Sequence, residues 1–578
     1  MAAAAWLDLF VQGRADRRAT WIPVAWSCGL AVLLLGPALA PGYVLSYDMV
    51  WVPQLDLRSD FVGLATSLPR VVPSDAVVAV LDSIVPGMVL QKVVLLGSLV
   101  AGGLGAVRLV PDLSLVGKLA VISCYQWSPL VAERLLIGHW PVLIAWACLP
   151  WVLHLTQRWL SGDVLPAALP VVLVLGSLSA SAGVVTAVAL LAGAIGGPAR
   201  RWGVAVGLAA AANAPWVVAG LLHAGSATTA TDGAAPFALQ AEGGIPAPVA
   251  AISLGGIWNG DVVPGSRTGL AGWLTAAAVV VLAALGLRVW RTTLGRPLAR
   301  ALGTCWVVGM GVALLTWALP DAVGWFASYV PGGGVVRDGA RMLVLAAPAV
   351  ATLVGAGVAA VVARVEAGPP RLLIGAGLVL LPVLLLVDAS WGIGGRLTAV
   401  AYPDSYETMR TAVSAGPPGD VLVLPFTSFR RPEWNNSHVV LDPVGRYQPR
   451  NYLSSDVLIV GGTAIPGEDP RVARASEALA MSTPAERSGA LAELGISIVV
   501  TDRSALGPAP EVAGRLLTPT GAEVTAVALE GRVRERPVPS GWYAALGVAW
   551  GSFVATAVVL PAILVWWRRR RRSSDRPS

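Results

Sequence analysis

A lone carboxylate, Asp48, stands in the stretch Tyr43-Val44-Leu45-Ser46-Tyr47-Asp48-Met49-Val50-Trp51, just past the end of the first long apolar run. Held at a bilayer surface and partly desolvated by Tyr47, Met49 and Trp51, such a group could take a proton from a hydroxyl as general base. It could also hold a divalent cation against a phosphate. Any wet interfacial loop contains acids, so a purely solvated Asp48 fits the residues as well. The same connection, 41–87, carries Asp56, Asp60, Asp75 and Asp82 with Arg58 and Arg70, and residue chemistry makes Asp56 and Asp60 the next candidates. Lys92, beside Gln91, lies about a turn inside the following apolar run, where an ammonium is costly unless it meets a partner or water, so a pairing with an acid of the first loop is open.

What must position these groups is a membrane bundle. Hydrophobic residues make up 55% of the 578-residue chain and charged residues 13%, with a mean hydropathy of +0.69, which excludes a water-soluble fold; soluble domains carry about 25% charged residues. Taking about 20 apolar residues per crossing, spans fall near 21–40, 88–108, 114–130, 139–156, 164–180, 183–197, 203–223, 268–289, 301–318, 341–363, 371–388 and 542–567. The expected fold is therefore an α-helical polytopic membrane protein of about twelve spans, in which the first run is a retained helix and not a cleaved signal peptide. A net charge of +7 would suit nucleic acid, but the arginines sit in short loops and in the final run Arg568 to Arg572, which is the pattern of membrane orientation and not of a nucleic-acid partner. With Arg14, Arg17 and Arg18 inside, the loops holding Arg108, Arg158, Arg200, Arg288 to Arg300 and Arg364 to Arg371 also face the cytoplasm. Loops 41–87, 224–267 and 319–340 and the polar segment 389–541 then lie outside, and the tail 568–578 lies inside. Arginine, alanine, valine and glycine dominate as in a high-GC actinobacterial genome, and Cys28, Cys124, Cys148 and Cys305 all fall in apolar runs with no metal or disulfide spacing.

Segment 389–541 changes character. The runs 420–424, 456–460 and 496–500 read as short buried strands, and 471–494 as one or two helices broken near Pro484. Strands interleaved with helices predict a small extracytoplasmic α/β domain, followed by a last span at 542–567.

A cytoplasmic N-terminus, an acid just beyond the first helix, many later spans and a C-terminal external domain together resemble the GT-C superfamily of membrane glycosyltransferases. The likeness is greatest to actinobacterial arabinofuranosyl- and mannosyltransferase types and their less characterised relatives. Glu133-Arg134 before Gly138-His139-Trp140, and Pro331-Gly332-Gly333-Gly334-Val335-Val336-Arg337-Asp338-Gly339-Ala340-Arg341 at the start of a later span, strengthen the resemblance. It implies a polyprenyl-phosphate sugar donor, an envelope glycan or glycolipid acceptor and transfer on the extracytoplasmic face. Asp48 would be the catalytic base, while Asp56 and Asp60 depart from the Asp-x-Asp pair of some members, which puts a divalent cation in doubt. Arginine contacts phosphate bidentately and keeps its proton, so Arg134, Arg337 and Arg341 are the candidates for the donor phosphate, with His139 as a donor to the leaving phosphate. Each of these arginines equally fits an anchor reaching for lipid headgroups, and His139 a structural role.

Trp258-Asn259-Gly260-Asp261 mixes an aromatic with polar groups as sugar sites do, and as membrane belts do; most of the 23 tryptophans lie near span ends. Arg430 to Trp434 and Arg446 to Tyr452 read either as a glycan-stacking surface or as polar loops packed on the bundle. No phosphate-cradling glycine loop, nucleophile elbow or Cys/His metal spacing is present, and acids are scarce at mid-depth of the spans, which disfavours an ATP-driven pump and a proton-coupled carrier. Three functional readings remain: glycosyltransferase, lipid-linked-substrate flippase, and non-catalytic envelope scaffold.

Overall fold

The computed structural model describes residues 17–574 apart from 65–67, 163, 226–234, 331, 461–462, 466, 468 and 535–536. Arg14, Pro331 and the side chains of Arg17, Arg18, Arg568, Arg569, Arg571 and Arg572 lie outside the described residues.

The chain is a multi-pass membrane protein. Among the described residues six helices are long and apolar enough to cross a bilayer: Trp21–Leu39, Gly87–Arg108, Ala199–His223, Leu270–Thr293, Arg296–Ala318 and Ser540–Trp567. Counting each of two bent pairs as one span brings this to eight, Gly339–Leu345 with Ala347–Val362 at 54° and Pro369–Leu385 with Val387–Gly395 at 72°. The expected dozen falls short for identifiable reasons. The apolar run 114–130 is cut at Trp127-Ser128-Pro129, so that α1 (Leu115–Gln126) and α2 (Pro129–Leu136) are separate short helices. α3 (Trp140–Ser161) has 22 residues but is diluted by Pro141, Pro150, His154 and several tryptophans. Ala168–Leu175 and α4 (Ala180–Ala194), with 8 and 15 residues, are too short for a full crossing.

Small residues set the spacing of the bundle. α5 (Leu270–Thr293) and α7 (Ala347–Val362) meet backbone to backbone, since a Cβ on Gly357 would lie 2.0 Å from Leu282 O and one on Gly286 2.4 Å from Leu353 O. Close glycine contacts are how helices pack where lipid offers no hydrophobic drive. They hold in place the bent helix whose first turn, α6 (Gly339–Met342), begins beside the candidate site.

Beyond residue 398 the chain turns to α/β. β1 (Tyr43–Val44) of the first loop pairs antiparallel with β2 (Ala399–Val400). A five-stranded sheet then forms from β3 (Asp420–Leu424), β4 (Tyr452–Leu453), β5 (Ile496–Asp502), β6 (Gly514–Leu516) and β7 (Val524–Leu529), in the order β6-β7-β5-β3-β4. β3 runs parallel to β4 and β5, and β7 is antiparallel to β5 and β6. The run 456–460 is not in this sheet: Leu458–Val460 forms a separate hairpin with Thr463–Ile465, and β4 takes the edge position. Its half-exposed residues explain the difference, because a strand inside the sheet would be buried on both faces. Pro470–Leu479 and Pro484–Glu493 are two helices, the second opened by a Thr483/Glu486 capping box.

The α/β segment sits on the first loop. Arg410 pairs with Asp56, Arg446 with Asp75 at 2.8 Å, and Arg58 Nη1 donates to the Gly445 and Gln448 carbonyls at 3.0 and 3.2 Å. Loop 41–87 is thereby shaped from both sides.

Candidate active site

Asp48 lies in a tight turn pressed against the corner between α2 and α3. Its N–H donates to Ile137 O at 3.1 Å, Met49 N–H donates to Ser46 O at 2.8 Å, and the Ser46 hydroxyl donates to Leu136 O. Gly138 makes the approach possible: its φ is +82°, and a Cβ there would lie 2.2 Å from Met49 N. On the other flank Tyr47 N–H donates to Val439 O and Leu441 N–H donates to Tyr47 O, both at 2.8 Å, so the α/β segment fixes the turn as well.

From Asp48 a chain of polar contacts runs into the protein. Asp48 Oδ2 is 3.1 Å from His139 Nε2, and His139 Nδ1 is 3.0 Å from Arg134 Nη1. A guanidinium can only donate, so Nδ1 accepts and the imidazole proton resides on Nε2, aimed at the Asp48 carboxylate. Burial pushes the His139 pKa down, the nearby Arg341 and Arg134 cations push the same way, and the hydrogen bond to Asp48 opposes them. Arg134 then forks onto Asp338, with Nη1 at 3.0 Å from Oδ2 and Nη2 at 3.3 Å from Oδ1. Asp338 also binds Arg341, through Nη2 at 3.0 Å and Nε at 3.1 Å, and caps α6 by accepting the Arg341 N–H at 3.0 Å. Burial would raise the Asp338 carboxyl, yet the two guanidiniums, Arg134 first, overcome it and hold it far below the usual carboxylate range. Arg341 ends the chain by donating to Ser181 Oγ at the start of α4, at 2.7 Å.

The chain thus gathers Asp48, Arg134, His139 and Arg341 from the first loop, the α2/α3 corner and the bent helix. Arg134 is 1% exposed, whereas the Asp48 side chain is 47% exposed, so the array is rigid at its root and accessible at its tip. Such an arrangement can hold an ionised carboxylate in one orientation beside fixed positive charge.

No family model and no curated protein matches the sequence. Among solved structures, that of the arabinofuranosyltransferase AftD from Mycobacteria matches with a TM-score of 0.54 at 17% identity, over 90% of this chain and 40% of AftD. The chain shares the fold of the part of AftD that it matches. Two further structures, of a mutant AftD in two classes, match with TM-scores of 0.49 and 0.46 at 16% and 18% identity, covering 90% of this chain and 42% of theirs. The chain spans about two fifths of the length of the structures it matches.

Within this fold the other candidate residues take different places. Arg337 Cζ lies 4.6 Å over the Phe237 ring, near enough to Arg341 for the two charges to act on each other. Lys92 lies on the Gly87–Arg108 helix, its Nζ buried without a hydrogen-bond partner. Asp56 is engaged by Arg410, and Asp60, whose pKa burial raises and Arg58 lowers, lies 3.6 Å from Arg58 Nε. Both acids face the α/β segment. Among the described residues no group of three or more His, Cys, Asp or Glu is placed to hold a metal ion.

Asp338 was missed by residue-type reasoning, although its signal was in plain view: an acid between two arginines, Arg337 and Arg341, at a helix start. Glu133, next to Arg134 on α2, belongs to a second buried group. It hydrogen-bonds Glu242, which binds Arg267 Nε at 2.8 Å, while Arg267 Nη2 donates to Ser253 at 2.9 Å. Burial, reinforced by Glu242, pushes the Glu133 pKa well up, so that the two carboxyl groups share a proton.

Proposed function

We propose that this protein is a membrane glycosyltransferase that takes a sugar from a polyprenyl-phosphate-linked donor on the extracytoplasmic face, in assembly of a cell-envelope glycan or glycolipid. The chain Asp48–His139–Arg134–Asp338–Arg341 carries the reading. In it Asp48 takes the proton of the acceptor hydroxyl as that oxygen attacks the anomeric carbon, and the bond from that carbon to the phosphate oxygen breaks with its electron pair leaving on the phosphate. His139, donating through Nε2, keeps the carboxylate aimed. Arg341 and Arg337 are the guanidiniums placed to meet the phosphate charge, Arg341 from its bond to Asp338 and Arg337 from its place over Phe237.

In the same reading 1–388 is the membrane part, 389–541 an extracytoplasmic α/β domain, 542–567 a last span and 568–578 a cytoplasmic tail, in a bacterial plasma membrane with both termini inside. The arginine-rich loops support that orientation. AftD is an arabinofuranosyltransferase, which makes arabinofuranose the first sugar to try.

The test is transfer from a radiolabelled polyprenyl-phosphoryl arabinofuranose to an octyl arabinofuranoside by protein in nanodiscs. Wild type should transfer and Asp48→Asn should be slower by about 10²-fold or more, the usual worth of a general base. Equal rates for the two proteins would remove the catalytic assignment.

A further inference from the structure

We infer that Tyr47, Asn259 and Asp261, with Arg396 and Arg431, form the subsite that binds the acceptor as an uncharged glycan end, an inference that rests on the transferase reading above. Tyr47 is the chain neighbour of Asp48, so its Cα lies about 3.8 Å from that of the proposed base. Its backbone, at φ +44°, is pinned on both sides by the α/β segment. While Asp48 reaches His139, the Tyr47 hydroxyl reaches the Asp261 carboxylate at 3.4 Å and is hydrogen-bonded by Asn259.

The 259–261 turn is held by contacts of its own. Asn259 Oδ1 accepts the Asp261 N–H at 3.0 Å, and Arg396 donates to the Asp261 carbonyl. These bonds use the backbone and leave the Asp261 carboxylate exposed, with one long hydrogen bond and no ion pair among the described residues. Elsewhere in the first loop and the α/β segment, acids such as Asp56, Asp75 and Asp502 are closed by arginines. An exposed, pre-oriented carboxylate beside an amide and a phenol suits vicinal sugar hydroxyls, which need acceptors and donors at once. Arg396 and Arg431 lie near the Tyr47 hydroxyl with Asp261, so charged donors stand beside the acceptor carboxylate, and sugar hydroxyls can meet both.

Position completes the argument. Trp258 packs edge-on against Phe237 with ring centres 4.8 Å apart, and Phe237 lies under Arg337. A run of contacts thus joins the arginine proposed for the donor phosphate, through Phe237 and Trp258, to the Asn259–Asp261 turn that meets Tyr47 beside Asp48.

The experiment measures binding in an Asp48→Asn background in nanodiscs, with farnesyl phosphate as the donor-phosphate probe and octyl oligoarabinofuranoside and octyl oligomannoside as acceptor probes. Adding Asp261→Ala or Asn259→Ala should weaken glycoside binding by about tenfold or more, the scale of lost hydrogen bonds to a charged group, and leave farnesyl phosphate binding unchanged. Adding Arg337→Ala should do the reverse. Glycoside affinity unchanged by both rim substitutions overturns the inference, as does farnesyl phosphate binding without binding of either glycoside, which leaves the donor reading standing. If neither class of probe binds, the transferase reading falls and the subsite with it.

Discussion

Glu133 and Arg134 are neighbours on one short helix, yet they feed two buried charge groups of opposite kind. Glu133 joins Glu242 and Arg267 in a closed set where both members of the ion pair are 0% exposed and a shared proton leaves one negative charge against one positive. Arg134 joins Asp338, Arg341 and His139 in a set that opens to solvent through Asp48. Residue types are nearly the same in the two. What separates a brace from a candidate site is access, since a sealed group has nothing left to offer a ligand.

Removing the hub of the open set should have the largest effect on the fold. Asp338→Asn leaves Arg134 and Arg341 buried without their countercharge and should cost about 3–5 kcal/mol, read as a lowered melting temperature in detergent together with lost transfer. Asn can still cap the Arg341 N–H, so a variant of wild-type stability would show that the carboxylate is not the hub.

Arg337 gives the contrasting case of an ion at the edge of the same set. Arg337→Ala removes the guanidinium that lies over Phe237. It should raise the KM for the polyprenyl-phosphate donor by about tenfold, or about 1.4 kcal/mol. Donor KM unaffected by this change would place the phosphate elsewhere.

The closed set predicts the smallest effect at neutral pH and a distinct pH signature. Glu133 has a raised pKa in the fold, so its stabilising contribution is fully present below the ordinary carboxyl range of about 4.3 and is lost as pH rises through the folded value. Glu133→Gln replaces the carboxyl group by an amide and should melt within about 1 kcal/mol of wild type while removing that loss on the alkaline side. His139, lowered by burial, has the opposite sign: its contribution is present above about 6.5 and is lost as pH falls through the folded value. A melting profile in which Glu133→Gln keeps the alkaline slope, or His139→Gln keeps the acid one, would contradict these assignments.

Residue chemistry picked out Asp48, Arg134, His139 and Arg341 because carboxylate, imidazole and guanidinium next to span ends are costly without a reason. It could not see that Asp338 ties them together, because the link joins residues 134 and 338, 204 positions apart. It ranked Asp48 ahead of Asp56 and Asp60 by its place at the end of the first helix, and could not see that Arg410 meets Asp56 and Arg58 meets Asp60. The count of spans was overread for a similar reason: hydropathy sums composition, whereas Trp127-Ser128-Pro129 ends a helix inside an apolar run. The strands 420–424 and 496–500 were legible from their unbroken Val, Ile and Leu content, which matches the buried central strands of a partly parallel sheet.

The account stands or falls on Asp48 and His139 working as one unit. A double-mutant cycle on the transfer rate, with Asp48→Asn, His139→Gln and the pair, measures this directly. The account predicts strong non-additivity: His139→Gln slows the wild type by about tenfold or more and changes almost nothing once Asp48 is Asn, as for groups that act together. Equal rate losses from His139→Gln in both backgrounds would contradict it.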